Sequence, residues 1–527
     1  MDEAAFATGK LIEGIIIVIW IALILGVGLW SRKRVKASGD FMVGGRAIPV
    51  WMLGMWSAGA SVSAWAFFGL PGGIYAAGAW QHWAICTPMI AGFPLTVIFL
   101  GRWMRISAKK YNLMTMPDFL GEVYGGKLIR IFAAIGIVIA CVFYATAQFK
   151  AIGVLIGTLL NIPYQPAAAL GIAISAVYVL LGGFIAGAII NSLNVSMMII
   201  ASLLAVGLGY TWTGGYGKML YTISQATGGT TWLNNDAALG GMAWFFWISW
   251  ALFLSSFGLV GQPAIVQKLY GIKKPSTLWL WGLMGGIIFG VTCPAYCYLG
   301  VVTKYLAVTD PTVAPAIAGL GLGADGVIAW LTVYKLGVEA PILGGLLIAG
   351  VIGAAWSTID GFIMMGGAAI VRDIINKCFR PNWTDKQLLR NLRIAMLVVG
   401  IIMAIETLFP SEIITWLAAI GWAQFAATLA PALLLATTWK GVTKWGGAAG
   451  VGVGMAVCAF LTLVYRLPPT SSPWGLGTAG FMKTFYLDAG AWGMILGFLT
   501  IIVVSLVTKK ERGPLYYDIH KDVPKPQ

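Results

Sequence analysis

Charged side chains are scarce in this chain. Only 10% of its 527 residues are Asp, Glu, Lys or Arg, and 59% are hydrophobic, whereas a soluble protein carries about 25% charged residues. Apolar runs of about 18 residues or more recur along the sequence, and each can cross the hydrocarbon core as a helix. The runs do not alternate apolar with polar residues, which excludes a transmembrane β-barrel. The composition therefore predicts an all-α polytopic membrane protein.

Histidine is rare, and the cysteines follow no metal or disulfide pattern. The chain has 2 histidines and 6 cysteines, and the cysteine positions match neither disulfide nor zinc spacing. Cys293 and Cys297 lie on one apolar run and share a helix face, so we interpret them as packing residues. Too few histidines are present for a histidine-based metal site.

Hydropathy predicts thirteen spans. We interpret the first as a retained helix and not as a cleaved signal peptide. Its start is acidic, and the basic stretch SRKRVK follows it as a stop-transfer signal would. The predicted spans are 11–30, 50–75, 78–101, 127–160, 164–182, 184–212, 239–262, 276–306, 341–371, 392–409, 412–438, 445–466 and 489–508.

The basic residues predict the orientation. Six segments hold 27 of the 34 Lys and Arg residues: 31–49, 102–130, 263–275, 372–393, 439–446 and 509–527. Cytoplasmic loops carry the Lys/Arg excess, so the N-terminus is expected outside and the C-terminus inside. The +15 net charge is then explained by membrane topology and contact with lipid. Because the charge is scattered over short loops, nucleic acid is not an expected partner. The tail 509–527 is expected to have little structure of its own.

Two spans carry signals of interruption. The first reads WMLGMWSAGASVSAWAFFGLPGG at 51–73, and the second reads SWALFLSSFGLVGQPAIVQKLYG at 249–271. Irregular backbone at membrane depth is tolerated only where it lines a cavity or binds something, and in transporters such breaks form substrate and ion sites. A simple Gly/Pro kink is the alternative. The breaks are five spans apart, and matched breaks in two halves are typical of an inverted repeat.

The stretch GAAWSTIDG, 353–361, places polar groups inside an otherwise apolar span. Ala354, Ser357 and Thr358 have i, i+3, i+4 spacing and share one helix face. They offer a carbonyl and two hydroxyls, which are the neutral hard oxygens that suit a releasable sodium ion. The alternative is that the hydroxyls bond back to carbonyls of the preceding turn. Asp360 is a functional candidate by default, because ionisable residues are rare inside spans.

These motifs together resemble the sodium:solute symporter family over about residues 10–510. The matching stretches, in family order, are DFMVGGR (40–46), SAGAS…W…GLPGG (57–73), MPDFLGEVYG (116–125), LLGGF (180–184), GQPAIVQKLYG (261–271), AAWSTID (354–360) and WKGVTKWGGAAG (439–450). GLPGG and GQP look most like the sodium/proline branch. That branch carries an Asp at the position of Ser61, so this chain departs from it there.

The resemblance implies a LeuT-like fold and alternating access driven by sodium. The two five-helix inverted repeats would be 50–212 and 239–438. Residues 1–49 would hold an extra N-terminal helix and the first loop, 445–508 two C-terminal helices, and 509–527 a cytoplasmic tail.

The resemblance also implies how the ion site is completed. The broken first core helix would add the carbonyls of Gly59 and Val62 to the oxygens of Ala354, Ser357 and Thr358. Asp360 would either attract sodium on its inward exit path or pair with a polar group on a neighbouring helix. Family members often carry an Asp, linked to a second sodium in some of them, where this chain has Asn191. One sodium per turnover is therefore expected.

Substrate candidates surround the two breaks, where N–H groups favour an anionic group such as a carboxylate. They are Ser63, Trp65, Gln81, His82, Ser255, Ser256, Phe257 and Gln424. Packing or lipid contact is the alternative for Trp65 and Phe257, and a structural hydrogen bond is the alternative for His82. An aromatic pocket without Lys or Arg at depth suits a small zwitterion or monocarboxylate.

The sequence thus predicts a sodium-coupled symporter of a bacterial-type inner membrane that imports a small organic solute, such as proline. Sodium is the expected coupling ion, and no obligate protein partner is evident. A proton-coupled symporter of the same fold is the alternative. A channel is less favoured, since no repeated pore loop or filter motif occurs. An intramembrane enzyme would need a Ser/His, paired Asp or HExxH constellation within the spans, and this sequence contains none of them.

Overall fold

The computed structural model describes residues 3–31, 37–78, 80–229, 248–408, 414–466 and 485–523, with all side chains in these ranges except those of 31, 77, 80–86, 175–182, 415–416 and 465–466. The long or span-forming helices are α1 Glu3–Ser31, α2 Val50–Ala64, α3 Leu70–Ala77, α4 Trp80–Thr96, α5 Lys127–Leu160, α6 Tyr164–Thr213, α7 Leu278–Thr309, α8 Pro341–Ala368, α9 Asp385–Leu408, α10 Ile414–Thr438, α11 Lys444–Arg466 and α12 Ala489–Val507.

Shorter segments connect these helices. Short α-helices are Ser38–Val43, Arg102–Lys110, Met116–Tyr124, Tyr216–Ala226, Pro263–Val266, Val313–Gly319, Gly326–Ala329, Gly337–Glu339 and Pro514–Ile519. Wider π turns form Trp65–Gly69, Val97–Gly101, Trp250–Ser256, Trp330–Leu336 and Ala369–Phe379. Tighter 3₁₀ turns form Gly44–Arg46, Phe257–Gly261, Gln267–Gly271, Pro275–Thr277 and Gly323–Asp325.

The helices confirm a polytopic membrane protein. Within the described ranges, ten helices are long and apolar enough to cross a membrane, and counting each of two bent pairs as one span raises the number to twelve. The count of thirteen and the orientation of the termini stay predictions. The expected spans 164–182 and 184–212 follow each other without a loop within α6 and meet at a kink at Gly183, where φ is 56° and ψ is −165°.

One bent pair was not expected from the sequence. Val313–Gly319 and Gly323–Glu339 meet at an angle of 112°, in a region that hydropathy left without a span. The turn between them holds Gly321 and Gly323, both with positive φ (66° and 55°). Such angles are readily adopted by glycine alone, which allows the sharp reversal between two short apolar helices.

The most buried helices are α8 and α10. In the most apolar stretch of α10 every residue is buried, and in the span that contains α8 the buried share is 83%, against 22% in α1. Helix α8 packs against α1, α2, α5 and α6. A helix that is apolar all round belongs at the centre of a bundle, so α8 carries its polar stretch into the middle of the protein.

The described parts of the six basic segments contact one another, and together they form what we call the basic face. Arg46 donates to the carbonyl oxygens of Ala108 and Leu113, both at 3.0 Å. Lys444 N donates to Glu511 O at 2.8 Å. The expectation that the tail has little structure was wrong, because Pro514–Ile519 is helical and buries Leu515 and Tyr516 against this face. The apolar side chains of the tail supply the contact that its polar composition concealed.

A buried charge cluster fastens the basic face. Asp118 accepts hydrogen bonds from Arg130 Nη1 and Arg372 Nε, each 2.9 Å long. Burial alone would raise the pKa of Asp118, but the guanidinium groups of Arg372 and Arg130 lower it to about 2. The carboxylate thus stays ionised at neutral pH. Removing one partner of such a buried pair costs about 3–5 kcal/mol, so the cluster ties the 102–130 segment firmly to the end of the α8 span.

The opposite face is fastened by a second ion pair. Lys150 Nζ on α5 lies 2.6 Å from Asp325 Oδ2, and Asp325 Oδ1 also accepts from Ile414 N at 3.2 Å. The neighbouring Ala324 carbonyl oxygen presses on Gly72 of α3, where any Cβ atom would overlap it. The turn at 323–325 therefore joins α3, α5 and the start of α10.

Helix α1 docks on glycines. A Cβ atom at Gly9 would overlap the Gly337 carbonyl oxygen, and one at Gly344 would overlap the Glu13 carboxylate. Glu13 is fully buried. Small residues allow membrane helices to approach closely, so this seam depends on the absence of side chains at these positions.

We expect Gly9→Ala to lower the free energy of unfolding by about 1–3 kcal/mol, because the added methyl overpacks the seam between α1 and Gly337. Thermal unfolding of the purified protein in detergent measures this change. Gly14→Ala is the control on the same helix, since a Cβ atom there meets nothing within 4 Å. Equal stability of the two variants would contradict the seam.

Candidate functional site

The first predicted break lies between α2 and α3. Ser63 has φ 52° and ψ −179° inside an otherwise helical stretch, and the π turn Trp65–Gly69 follows it. Positive φ is uncommon for residues other than glycine and costs about 1–3 kcal/mol. The backbone therefore leaves the helical path at Ser63, in the middle of a fully buried segment.

Helix α5 satisfies the polar groups at this break. Gln148 Oε1 accepts from Ala64 N at 2.8 Å, and the Tyr144 hydroxyl lies 3.1 Å from Ser63 Oγ. Ser63 Oγ also accepts from Trp65 N at 3.1 Å. The sequence analysis missed Tyr144 and Gln148. Their i, i+4 spacing on an apolar helix was the available signal, but nothing in the sequence linked it to the break.

The hydroxyl oxygens of the predicted sodium residues of α8 both lie within hydrogen-bond distance of Ala354 O. Ser357 Oγ and Thr358 Oγ1 both donate to Ala354 O, at 2.8 and 3.2 Å, and all three residues are fully buried. These are the back-bonds that the sequence left as an alternative. A hydroxyl that donates its only proton still presents its lone pairs, so the bonds aim the two hydroxyl oxygens and leave them able to accept a cation.

Helix α2 faces this group across the bundle. A Cβ atom at Gly59 would lie 3.3 Å from Ser357 Oγ and only 2.6 Å from Val195 Cγ2. The backbone of α2 therefore approaches Ser357 where only glycine fits. Val62 is fully buried, and its carbonyl oxygen accepts from the Trp65 N–H at the end of α2. The five predicted sodium residues thus belong to two facing helices, with Gly59 against Ser357.

Asp360 forms a hydrogen bond with α6. Asn191 Nδ2 donates to Asp360 Oδ2 at 2.7 Å, and Asn191 Oδ1 accepts from Asn194 Nδ2 at 3.2 Å. Asn194 Oδ1 is buried and has no hydrogen-bond partner among the described residues. Of the two roles considered for Asp360, the pairing with a neighbouring helix has a visible partner. The polar chain runs from the helix of the sodium candidates into α6.

The second break lies within 250–271. A π turn at Trp250–Ser256 and a 3₁₀ turn at Phe257–Gly261 lead to an extended Gln262 (φ −92°, ψ 100°), and the span bends by 49° there. Gln262 Nε2 donates to Trp422 O of α10 at 3.1 Å. The Gln262 side chain thus links the second break to α10.

Aromatic rings connect the two breaks. Trp65 stacks on Trp250 with ring centroids 6.3 Å apart, and Tyr144 lies 6.2 Å from Trp422. The Trp65 Nε1–H and Ser255 Oγ–H groups are buried and have no hydrogen-bond partner in the described part of the chain. Buried donors are normally satisfied, so these two are the strongest candidates for contact with a polar solute.

The other substrate candidates lie differently. Ser256 Oγ lies 2.8 Å from Ala251 O and 3.2 Å from Pro88 O, so its single proton has two carbonyl acceptors within reach. Phe257 is 39% exposed, with its ring 6.4 Å from that of Phe99. Gln424 Nε2 donates to Thr428 Oγ1 and to Met455 O of α11, both at 3.2 Å. The side chains of Gln81 and His82 lie outside the described residues.

A buried lysine was counted as a loop charge and so was missed. Lys268 is 3% exposed, and its ammonium group lies 4.3 Å from the centroid of the Trp56 ring. Trp56 is on α2, three residues before Gly59. The run QPAIVQKLYG held the signal, since its lysine is flanked by apolar residues.

The chain shares its fold with a Na+-coupled sialic acid symporter solved in a substrate-bound, outward-open state. The TM-score is 0.72 at 14% sequence identity, over 95% of this chain and 99% of that one. Ten or more apolar helices among the described residues define a multi-pass membrane protein.

The chain belongs to the sodium:solute symporter family, whose model matches residues 41–454. The osmoregulated proline transporter OpuE of Bacillus subtilis is 24% identical over 510 residues, 94% of this chain and 95% of that relative. The high-affinity proline transporter PutP of Bacillus subtilis is 25% identical over 446 residues, 82% of this chain and 88% of its own. The sodium/proline symporter of Escherichia coli is 24% identical over 491 residues, 92% and 90% respectively.

Replacing Ser63 with glycine tests the break. We expect Ser63→Gly to keep the stability of the protein or raise it slightly, because glycine adopts positive φ without strain and this gain offsets the lost hydroxyl contacts. Thermal unfolding in detergent measures it. The control is Ser61→Gly, two residues earlier in α2, which should cost about 1 kcal/mol as a glycine inside a helix. A larger loss at Ser63 than at Ser61 would argue against the strained break.

Proposed function

We propose that this protein is a sodium-coupled symporter that imports a small organic solute by alternating access. The observation that carries the proposal is the meeting of Ser357 with Gly59, where two buried hydroxyls and a carbonyl on α8 oppose the backbone of α2. Neutral oxygens bind a monovalent cation without holding it too tightly to leave. Membership in the family and the fold of a Na+-coupled symporter support the same reading.

The proposed sodium ligands are the carbonyl oxygens of Gly59, Val62 and Ala354 and the hydroxyls of Ser357 and Thr358. Three of these come from α8 and two from α2. A cation held between two helices responds to their relative position, which is what a transport cycle requires.

Asp360 and Asn191 are proposed to lie on the ion path. A carboxylate one turn beyond Ser357 attracts sodium electrostatically, and its hydrogen bond from Asn191 holds it in place. Because Asn191 is neutral, the site has one carboxylate instead of two, so we propose one sodium per solute.

The proposed solute is an amino acid such as proline, or a small monocarboxylate. The free N–H of Trp65 and the hydroxyl of Ser255 would donate to a carboxylate, and the rings of Trp65, Trp250 and Tyr144 would cover an apolar ring or chain. The proline transporters among the relatives favour this class. Ser63 completes the set, while Ser256, Phe257, Gln424 and Gln81 are retained as candidates for the wall of the site.

We further propose two inverted repeats, 50–212 and 239–438, with the N-terminus outside and the basic face toward the cytoplasm. The bent spans α2–α3 and 250–271 occupy matching places in the two repeats. Lipid is the expected surrounding partner of the exposed apolar helices.

One sodium ion provides enough energy for uphill uptake. A monovalent cation that crosses 100 mV releases about 2.3 kcal/mol, and a tenfold concentration gradient adds about 1.4 kcal/mol. The sum corresponds to a several-hundred-fold accumulation of a neutral zwitterion.

Uptake of labelled proline into cells or proteoliposomes, with sodium replaced by choline, tests the coupling. Symport with sodium requires that uptake falls to background without sodium and persists when a protonophore is added. Uptake that continues without sodium and collapses with the protonophore would instead establish the proton-coupled alternative. A thermal-shift screen of small solutes, each with and without sodium, extends the test to other substrates.

We expect the double substitution Ser357→Ala with Thr358→Ala to abolish sodium-stimulated uptake, because it removes both hydroxyl ligands. The measurement is initial uptake rate against sodium concentration at equal membrane expression. Thr292→Ala with Thr303→Ala on α7 is the matched control, since those buried hydroxyls also bond to carbonyls four residues earlier, at 2.7 and 2.8 Å. Transport that survives the α8 double substitution would refute the sodium site.

The proposed stoichiometry predicts a Hill coefficient near 1 for sodium activation of uptake. Asn191 is neutral where the family often has an Asp linked to a second sodium, so a second cation would find no carboxylate at that position. Sodium titrations of uptake at saturating solute measure the coefficient. A value near 2 would contradict one sodium per solute.

A further inference from the structure

Lys268 lies in the second bent span, in the segment Pro263–Gly271, which follows the break. Its Nζ donates to Trp56 O at 3.2 Å, and the same ammonium group lies 4.3 Å from the centre of the Trp56 ring. At 3% exposure the side chain cannot reach water in the way that lysines near helix ends usually do. A buried ammonium is expensive and is retained in membrane proteins chiefly for function.

Trp56, which contacts Lys268, also forms a hydrogen bond with α8. Its indole Nε1–H donates to Ser357 O at 3.1 Å, which is the backbone oxygen of a proposed sodium-binding residue. On the other side, Trp56 packs on Gly187 of α6, where a Cβ atom would lie 2.7 Å from the ring, and beside Phe184 at 4.9 Å. These contacts restrict the ring, and Lys268, Trp56 and Ser357 form a continuous bridge.

The segment that carries Lys268 is bound to α2 and to the basic face at several further points. Ser57 Oγ donates to Ile265 O at 3.1 Å, and the Tyr270 hydroxyl donates to Thr115 O at 3.0 Å. Ile48 N donates to Gly271 O at 3.1 Å. Any opening of the basic face between these elements has to move 263–271 relative to α2.

We propose that Lys268 is a positioning residue for sodium: through Trp56 it fixes Ser357 in the sodium-binding geometry, and withdrawal of 263–271 weakens the site. This inference rests on the proposed sodium site. It adds that the segment 263–271, which carries Lys268, would couple the conformation of the basic face to sodium binding. Sodium affinity then depends on a residue that does not bind the ion.

The test is sodium-dependent thermal stabilisation of the purified full-length protein, with choline chloride keeping ionic strength constant. We expect Lys268→Met to raise the sodium concentration for half-maximal stabilisation about tenfold, because methionine removes both the hydrogen bond to Trp56 O and the cation–π contact with the Trp56 ring. Lys268→Arg should restore most of the affinity, because it keeps the charge and the ring contact. A purely structural role would lower the melting temperature without moving the sodium midpoint.

Trp56→Phe is the second variant, and it leaves the lysine and its charge unchanged. It removes the donor to Ser357 but keeps a ring under Lys268, and it should raise the sodium midpoint by a similar factor. The double variant Lys268→Met with Trp56→Phe should be no worse than the poorer single variant. Lys304→Met is the control, because Lys304 lies 5.2 Å from the centroid of the Tyr75 ring and has no link to α8 among the described contacts.

The outcomes separate the two proposals. If the unmodified protein shows no specific stabilisation by sodium, the proposed sodium site itself is refuted. If the unmodified protein binds sodium and either single variant keeps its midpoint within about twofold, the bridge is refuted while the site stands. A tenfold shift in both variants, absent in the Lys304 control, supports it.

Discussion

A membrane helix that leaves its helical path has to find partners for its backbone, because the hydrocarbon core offers none. Ser63 creates this requirement. Gln148 Oε1 accepts a hydrogen bond from Ala64 N, and Ser63 Oγ accepts one from Trp65 N. The Tyr144 hydroxyl in turn hydrogen-bonds to Ser63 Oγ. The position of α5 beside α2 follows from these bonds, and the aromatic rings around the break fill the space that the bend opens. The polar groups around the first break are thus arranged to satisfy one strained stretch of backbone.

The sequence was informative wherever a signal is local. Hydropathy, the glycine and proline clusters, and the i, i+3, i+4 pattern at Ala354, Ser357 and Thr358 require only neighbouring residues. Contacts between distant parts of the chain gave no such signal. Asn191 and Asp360, or Lys268 and Trp56, meet only after folding, so the sequence could name the carboxylate but not its partner. Lys268 was assigned to topology because charge counts ignore burial.

The errors have physical causes as well. The hairpin at 313–339 is too short on each side to register as a span, and the tail was judged by its polar composition although Leu515 and Tyr516 decide its packing. Phe257 and Gln424 show that proximity along a helix does not fix direction, since one faces outward and the other faces α11. Side-chain direction depends on the helix rotation that packing sets, and a single sequence does not contain it.

The glycine seam of α1 also orders the assembly of the protein. Helix α1 is complete at Ser31, whereas the glycines that receive its Gly9–Glu13 segment begin at Gly337, about 300 residues later. At about 5–20 residues per second of synthesis, α1 spends roughly 15–60 s in the membrane before Gly337, Gly344 and Gly345 emerge. During that time Glu13 lacks the glycine surface that buries it, although the part of α1 around Gly28 can already contact Ile190 of α6. Burial of the Glu13 carboxylate is therefore a late step in the assembly of the bundle.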